Sequence, residues 1–296
     1  MGARTSSRSY TLPVDKLCGQ SSGENEPWEG FRELCALLKG KRIALLTGAG
    51  CSTESGIPDY RGPETRKRAR NPVQYREFVD KPQARRRYWA RALVGWSRFS
   101  ATAPNEGHQA MAQMERRGVL TGTITQNVDR LHTKAGTERL VELHGALEEV
   151  ICLDCGILSS REELQERLWE VNPDWLGRRA EIAPDGDTEI DDTEGFVVVD
   201  CVGCGGRLKP HVVFFGENVP RRRVERAWRI VRDAEVLLVV GSSLAVFSGY
   251  RFPRGFAAEG GHVAIVNLGP TRADGAAKIK VKAKSGALLP RLVHYL

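Results

Sequence analysis

Short apolar runs alternate with stretches of helical periodicity along most of the chain, and that alternation predicts the fold. Phe31, Leu34, Cys35 and Leu38 recur at helical spacing, and the run Lys41-Arg42-Ile43-Ala44-Leu45-Leu46-Thr47 follows, stopped by Gly48. A short run bounded by glycine reads as a parallel strand buried on both faces. Leu120 to Thr125, Val236 to Val240, Val263 to Asn267 and Ala277 to Val281 read the same way. His108 to Arg117 and Arg221 to Val231 carry helical periodicity between them. Strand, helix, strand in repeated order is the cadence of a doubly wound α/β sheet, whose ligand loops gather at the strand ends.

One segment breaks the cadence. Arg161 to Glu170 looks helical, but Glu181 to Asp200 is rich in acids and turns at Pro184-Asp185-Gly186-Asp187, so it is expected to be a solvent-facing excursion. Two cysteine pairs enclose the segment, Cys152-Leu153-Asp154-Cys155 and Cys201-Val202-Gly203-Cys204, with Gly156 and Gly205 just behind them. One Cys-x-x-Cys pair could be a redox centre. Two pairs in one inserted module can close a tetrahedral thiolate site with no coordination position left for water, so a structural Zn2+ is expected on Cys152, Cys155, Cys201 and Cys204, with an iron-sulfur cluster as the lesser alternative. The expected organisation is an arm over residues 1–27, a main domain over 28–145 and 210–296, and an inserted module over 146–209. The loop and helices of 56–100 should contribute to the smaller unit.

Composition narrows the class. At 296 residues and 41% hydrophobic content the chain can build one sizeable core plus an accessory module. No run approaches the roughly 18 apolar residues of a membrane span. The arm lacks the apolar stretch of a secretory signal. Seven cysteines, an odd total without disulfide-framework spacing, suit a reducing compartment. The formal charge of +7 is concentrated near Arg66-Lys67-Arg68 and Arg85-Arg86-Arg87. That run reads as a solvated face or as an attractor of an anionic cofactor, an acidic protein or a nucleic-acid backbone. Without aromatics interleaved with glycine, nucleic acid is the weaker choice.

The first strand runs into Gly48-Ala49-Gly50-Cys51-Ser52-Thr53-Glu54-Ser55-Gly56. Small residues there would let backbone amides approach a pyrophosphate, with a helix beginning near Ser52, although a tight turn alone explains the pattern equally well. The Gly-Lys-Ser/Thr ending of a Walker loop is missing, and Thr53 stands where the ordinary dinucleotide fingerprint has its third glycine. Simple hydride transfer loses ground accordingly.

Gly56-Ile57-Pro58-Asp59-Tyr60-Arg61, Thr125-Gln126-Asn127-Val128-Asp129-Arg130-Leu131-His132 and Glu142-Leu143-His144-Gly145 occur in that order. Phe214-Phe215-Gly216-Glu217, Gly241-Ser242-Ser243-Leu244 and Asn267-Leu268-Gly269 follow. Together these motifs resemble the sirtuin family of NAD-dependent protein deacylases over about residues 31 to 290. The resemblance implies a Rossmann-like doubly wound parallel sheet with an inserted small domain containing a zinc ribbon. It also implies consumption of NAD as co-substrate and release of nicotinamide, free lysine and O-acyl-ADP-ribose from acyl-lysine proteins or peptides.

By match to the family, His144 would be the base that draws a proton through the ribose hydroxyls, a duty its near-neutral intrinsic pKa suits. Gln126, Asn127 and Asp129 match the ribose and nicotinamide pocket, with Asn127 and Asp129 placed beside His144 in the catalytic set. Gly48, Ala49, Gly50, Ser52 and Thr53 match the phosphate cradle, and Asp59 and Arg61 the end of the flexible cofactor loop. Gly241, Ser242, Ser243, Asn267, Leu268 and Gly269 match the adenosine side, and Ser285 completes the cofactor set. An extended peptide would add a strand between Phe215-Gly216-Glu217 and the loop of Leu244, Val246 and Phe247. Val213 and Phe214 would line the acyl tunnel, core packing being their plainer role. Tyr88 and Arg91 keep a Tyr-x-x-Arg spacing that could grip an acidic acyl end bidentately. Local details look most like the subgroup of mitochondrial sirtuin 4 and its bacterial relatives, which is associated with removal of longer, branched and lipoyl groups. Mono-ADP-ribosyl transfer and a nonenzymatic NAD-sensing or zinc-scaffold role are the alternatives. Arginine outnumbering lysine favours the bacterial cytoplasm over a mitochondrial matrix.

Overall fold

The computed structural model describes residues 27–60, 72–178, 190 and 192–296. Arg61 and the turn at Pro184 to Asp187 therefore lie outside the described residues, as does the arm up to residue 26.

From the N-terminal side the elements are α1 (Phe31–Leu38), β1 (Ile43–Thr47), α2 (Tyr75–Asp80), α3 (Pro82–Ser100), α4 (Glu106–Arg116), β2 (Leu120–Thr125), α5 (Leu131–Lys134) and β3 (Leu140–Glu142). The smaller unit brings β4 (Gly145–Cys152), β5 (Leu158–Ser160), α6 (Arg161–Val171) and β6 (Leu208–Val212). The chain closes with α7 (Arg221–Arg232), β7 (Val236–Val240), α8 (Phe247–Ala258), β8 (His262–Val266), β9 (Ala277–Val281) and α9 (Ser285–Val293).

Six strands form a parallel sheet in the order β3-β2-β1-β7-β8-β9. Every residue of β1 and β7 is buried, because helices cover both faces. Leu45, Leu238 and Ala264 turn toward α1, α4 and α9, while Ala44, Leu46, Leu237 and Val239 turn toward α7 and α8. Each large aliphatic side chain buried this way contributes about 1.5–3 kcal/mol. The chain order reverses between β1 and β7, which makes their carboxyl ends the switch point, the place where open sheets of this kind take their ligands.

The smaller unit holds the antiparallel sheet β5-β4-β6 and its own core. Val150, Leu164, Leu168 and Leu208 pack there with Phe78 of α2 and Tyr88, Trp89 and Leu93 of α3. Arg161 is only 2% exposed. Its guanidinium lies over the rings of Trp89 and Trp96 and donates to the Ala92 carbonyl, while Gln165 donates to the Leu93 carbonyl, so α6 is pinned to α3. Burial lowers the Arg161 pKa to about 10, which leaves the charge in place at neutral pH.

Two expectations need correction. No α-helix begins near Ser52. Ala49–Cys51 and Thr53–Ser55 form two short 3-10 turns instead, since Gly56 adopts a left-handed φ of 88° and ends the winding. The acid-rich stretch is not wholly solvent-facing either, because Phe196 is buried against Trp175 at 5.1 Å between ring centroids. Its aromatic ring outweighs the charged neighbours that coloured the sequence reading. Among the described residues no helix is long and apolar enough to cross a membrane.

Candidate active site

The crevice is built by two loops that interlock. Gly50 N donates to the Gly241 carbonyl at 2.8 Å and Gly48 N to the Val240 carbonyl at 3.1 Å. A Cβ on Gly48 would stand 2.7 Å from Ser242 Cβ, and one on Gly50 2.8 Å from the Gly241 oxygen. The glycines of the first loop thus serve close approach between strand ends, and two of the amides expected to face a phosphate are already spent. Asn105 Nδ2 donates to the Cys51 carbonyl and to Ser55 Oγ, and its Oδ1 caps α4, tying that helix to the loop. Glu54 accepts from Gly286 N at the start of α9, with Ser285 Oγ beside it, where a carboxylate meets the positive helix end.

Asn127, Ser52 and Asp129 form one buried cluster. Ser52 Oγ donates to Asp129 Oδ2 at 2.6 Å, and Asn127 Nδ2 donates to Ser52 Oγ at 3.0 Å and to the Gly48 carbonyl at 3.1 Å. Burial raises the Asp129 pKa, against the lowering effect of its bonds from Ser52 and from Leu131 N. Beneath it, Thr47 Oγ1 lies 2.9 Å from both Thr125 Oγ1 and His132 Nε2, and Thr125 Oγ1 accepts from Asn127 N. The ring of His108 stands edge-on to His132 at 5.0 Å, and burial lowers the pKa of both, His108 to about 4.

His144 sits between β3 and β4 at the crevice edge, half-buried. Its Nδ1 lies 2.9 Å from the Gln126 carbonyl oxygen, which can only accept, so Nδ1 carries the proton and Nε2 holds the lone pair. Burial lowers its pKa to about 4, opposed by the Gln126 bond and assisted by the Arg223 and Arg251 charges. At neutral pH the ring is an uncharged acceptor. The Gln126 side chain donates to Ser242 Oγ and the Thr47 carbonyl, so it braces the loops rather than pointing freely into the crevice.

The remaining expected residues scatter around this centre. Thr53 Oγ1 donates back to the Gly50 carbonyl, Asn267 Nδ2 closes its own turn on the Gly269 carbonyl, and Leu268 is exposed. The Ser243 carbonyl holds Arg272 N. Ala49 and Asp59 are half-buried on the first loop. Leu244 is buried with φ 55°, a left-handed conformation that costs a non-glycine residue about 1–3 kcal/mol and bends the loop toward Val246 and the exposed Phe247.

Phe214 meets Tyr88 at 5.4 Å and Phe78 at 5.1 Å, an aromatic wall between the two sheets. Arg91 Nε donates to the Ile190 carbonyl. Phe215 is not an open edge, since its carbonyl accepts from Tyr75 N and the chain forms a parallel bridge to Gln74 there. Val213 N donates to the His144 carbonyl, which fixes the start of the Phe214-Phe215-Gly216-Glu217 stretch. Glu217 accepts from Phe214 N and pairs at 3.0 Å with Lys209, whose side chain is 4% exposed. Sequence reading missed Lys209, whose signal is a lysine three positions ahead of the apolar run Val212 to Phe215 and a carboxylate eight residues later, and it placed Ser248 only at the end of the expected peptide loop.

Cys152, Cys155, Cys201 and Cys204 place their four sulfurs within 4.8 Å of one another. Cys152 and Cys204 Sγ are 3.5 Å apart and Cys155 and Cys201 Sγ 3.9 Å. Zinc bonded tetrahedrally at about 2.3 Å requires sulfur separations of about 3.8 Å, so the residues fit that ion. Gly156 N returns to the Cys152 carbonyl and Gly205 N to the Cys201 carbonyl, making two matching turns. Asp154 and Arg207 clamp one turn to the other at 2.9 Å. The crevice likewise fits NAD in its donor set: amide, carboxylate and hydroxyl groups of Asn127, Asp129 and Ser52 lie at the switch point beside a neutral imidazole.

Residues 48–248 match the family model described as Sir2 family. NAD-dependent protein deacetylase 1 of Mycobacterium avium (strain 104) is 51% identical over 269 residues, covering 89% of this chain and 95% of the relative. The mitochondrial NAD-dependent protein lipoamidase sirtuin-4 of Homo sapiens is 48% identical over 255 residues, covering 84% and 81%. A solved structure of Sir2 with a p53 peptide and NAD+ superposes with a TM-score of 0.72 at 30% identity, covering 89% of this chain and 97% of that one.

Proposed function

We propose that this chain, which belongs to the Sir2 family and is an NAD-dependent protein deacylase, carries out its reaction in the crevice between β1 and β7 with His144 as the base. The observation that carries the assignment is the imidazole itself. Gln126 fixes the Nδ1–H tautomer, so the single lone pair belongs to Nε2, and the depressed pKa keeps that nitrogen unprotonated at neutral pH. NAD, when bound, supplies a ribose whose bond to nicotinamide can be broken in favour of an acyl oxygen.

The chain's own residues position and protect that centre. Asn127 and Ser52, held by Asp129, present directed donors and acceptors from a rigid base, which restricts the angle at which partners meet. Asp129 and His144 arrive from the ends of adjacent strands β2 and β3, so their spacing is set by the sheet register Thr125 to Glu142. The wall of Phe78, Tyr88 and Phe214 supports an apolar acyl channel that excludes water from the reacting carbon. The four cysteines hold one structural zinc that shapes the smaller unit and takes no part in chemistry.

The peptide strand lies between Gly216-Glu217 and the Leu244 to Phe247 loop, Phe215 having already given its carbonyl to Tyr75. Arg91, anchored by Nε to the Ile190 carbonyl at the edge of the acyl wall, is the residue that would favour an acidic acyl end. The bacterial relative supports a bacterial setting for the chain.

Nicotinamide release from NAD with acetyl, glutaryl and lipoyl lysine peptides tests the reading. His144→Ala should abolish release with every peptide, falling by at least about a thousandfold. Arg91→Ala should lower the glutaryl rate relative to acetyl. Release that persists in His144→Ala ends the assignment of the base, and an unchanged acyl ranking removes Arg91.

A further inference from the structure

The lone pair of His144 is already engaged. Ser248 Oγ stands 2.8 Å from Nε2. Since Nδ1 holds the ring proton, Nε2 can only accept, and the serine hydroxyl must donate its single proton to it. The serine oxygen's own lone pairs are then directed away from the ring, free to accept from another hydroxyl. Any group that gives a proton to Nε2 must either displace Ser248 or pass the proton through it.

The surroundings build this contact from both sides. Gln126 uses its carbonyl to hold Nδ1 and its side chain to hold Ser242 Oγ and the Thr47 carbonyl. The same side chain abuts α8, where a Cβ on Gly249 would fall 2.3 Å from Gln126 Oε1. Gly249 thus lets the first turn of α8 settle against Gln126, and that turn carries Ser248 to the imidazole. One residue therefore fixes the ring on one side and the helix bearing its partner on the other. The charged groups that face the ring are Arg223 from α7 and Arg251 from α8.

We propose that Ser248 is the relay and positioning residue for His144: its Oγ takes the proton from a hydroxyl of the bound sugar while its own hydroxyl proton passes to Nε2. The sugar oxygen keeps its electron pair, the serine is regenerated as a hydroxyl, and the ring becomes an imidazolium bonded to the Gln126 carbonyl and to Ser248 Oγ. The proposal rests on the deacylase reading and adds to it the route of the proton.

Two measurements test it. In ligand-free protein carrying 15N-histidine, the Nε2 resonance of His144 should report an unprotonated, hydrogen-bonded nitrogen that shifts in Ser248→Ala and returns in Ser248→Thr. In single-turnover nicotinamide release, Ser248→Ala should slow the reaction about tenfold to a hundredfold and Ser248→Thr should recover most of it. Rates measured across H2O and D2O mixtures should curve for wild type, with two protons in flight, and run straight for Ser248→Ala. An Nε2 resonance indifferent to Ser248→Ala, or a variant with wild-type rate and the same curvature, overturns the relay. A wild type that releases no His144-dependent nicotinamide with any acyl peptide defeats the deacylase reading instead.

Discussion

The six-stranded sheet and the cysteine module solve the same problem of stability by different means. The sheet buries whole strands: all five residues of β1 and all five of β7 are inaccessible, and their side chains fill two cores. The module's sheet has three strands, one of them an exposed edge of three residues, and β4 slips register between Gly145 and Val150. Its cysteine end has little apolar area to bury, with Val202 and Ile157 both open to solvent. A small unit of that kind needs a covalent or metal tie where a large one needs only area. The lesson is that thiolate chemistry substitutes for burial only locally, because the far end of the module still borrows Phe78, Tyr88 and Trp89 from the helices after the first loop.

The comparison breaks most visibly at the metal. Cys152→Ser combined with Cys201→Ser should eliminate the one bound zinc, and ligation energies on the order of 10 kcal/mol imply that the knuckles then lose fixed structure. Metal analysis and near-ultraviolet circular dichroism should show this while the far-ultraviolet signal of the large sheet persists. Full loss of the helical signal would mean that the two units do not differ in the way described.

A smaller effect is expected in the sheet. Leu238→Ala, in β7 between β1 and β8, should cost about 2–5 kcal/mol in urea unfolding without releasing zinc.

Acid should act within the large unit, through His108 of α4 and Glu142 of β3. His108 is held near 4 in the fold against an ordinary value of 6.5, so the unfolded chain binds more protons between those limits. Its contribution is intact above about pH 6.5 and is lost as pH falls toward 4, a decline of up to about 3 kcal/mol. Burial raises Glu142 to about 6, which acts oppositely: the folded chain binds the extra proton between about 4.5 and 6, and stability from that group grows as pH falls through 6. Burial lowers His132 and His144 in the same way and adds to the loss, so thermal unfolding from pH 7 to 4.5 should show a marked decline in wild type and a steeper one in Glu142→Gln. Equal slopes would remove Glu142 from the balance.

Where burial is complete, the pattern of residues was enough to find the strands: Ile43 to Thr47 and Val236 to Val240 stand where their apolar runs put them. Leu140–Glu142 escaped because three residues carry no period. The long helix Pro82–Ser100 falls among the helices expected over 56–100, but its arginines suggest a solvated face and obscure the buried one of Tyr88, Trp89, Leu93, Trp96 and Phe99. At the site, the spacing of four cysteines and the position of His144 were legible. The Ser248 contact was not, for it joins residues 104 positions apart through a side chain that leaves no periodic trace. The roles of Gly48 and Gly50 were half legible: their smallness could be read, but the reason for it, contact with Gly241 and Ser242, depends on a strand nearly two hundred positions later.

That distance bears on how the protein is made. Arg42 and Glu235, which meet where β1 and β7 begin, are 193 positions apart. A ribosome must therefore deliver β2, β3 and the entire metal module before the second neighbour of β1 exists. Through most of synthesis a strand that is apolar but for Thr47 waits with one flank unpaired, an invitation to intermolecular pairing. Chaperone occupancy of nascent chains should accordingly fall only after Val240 has left the exit tunnel.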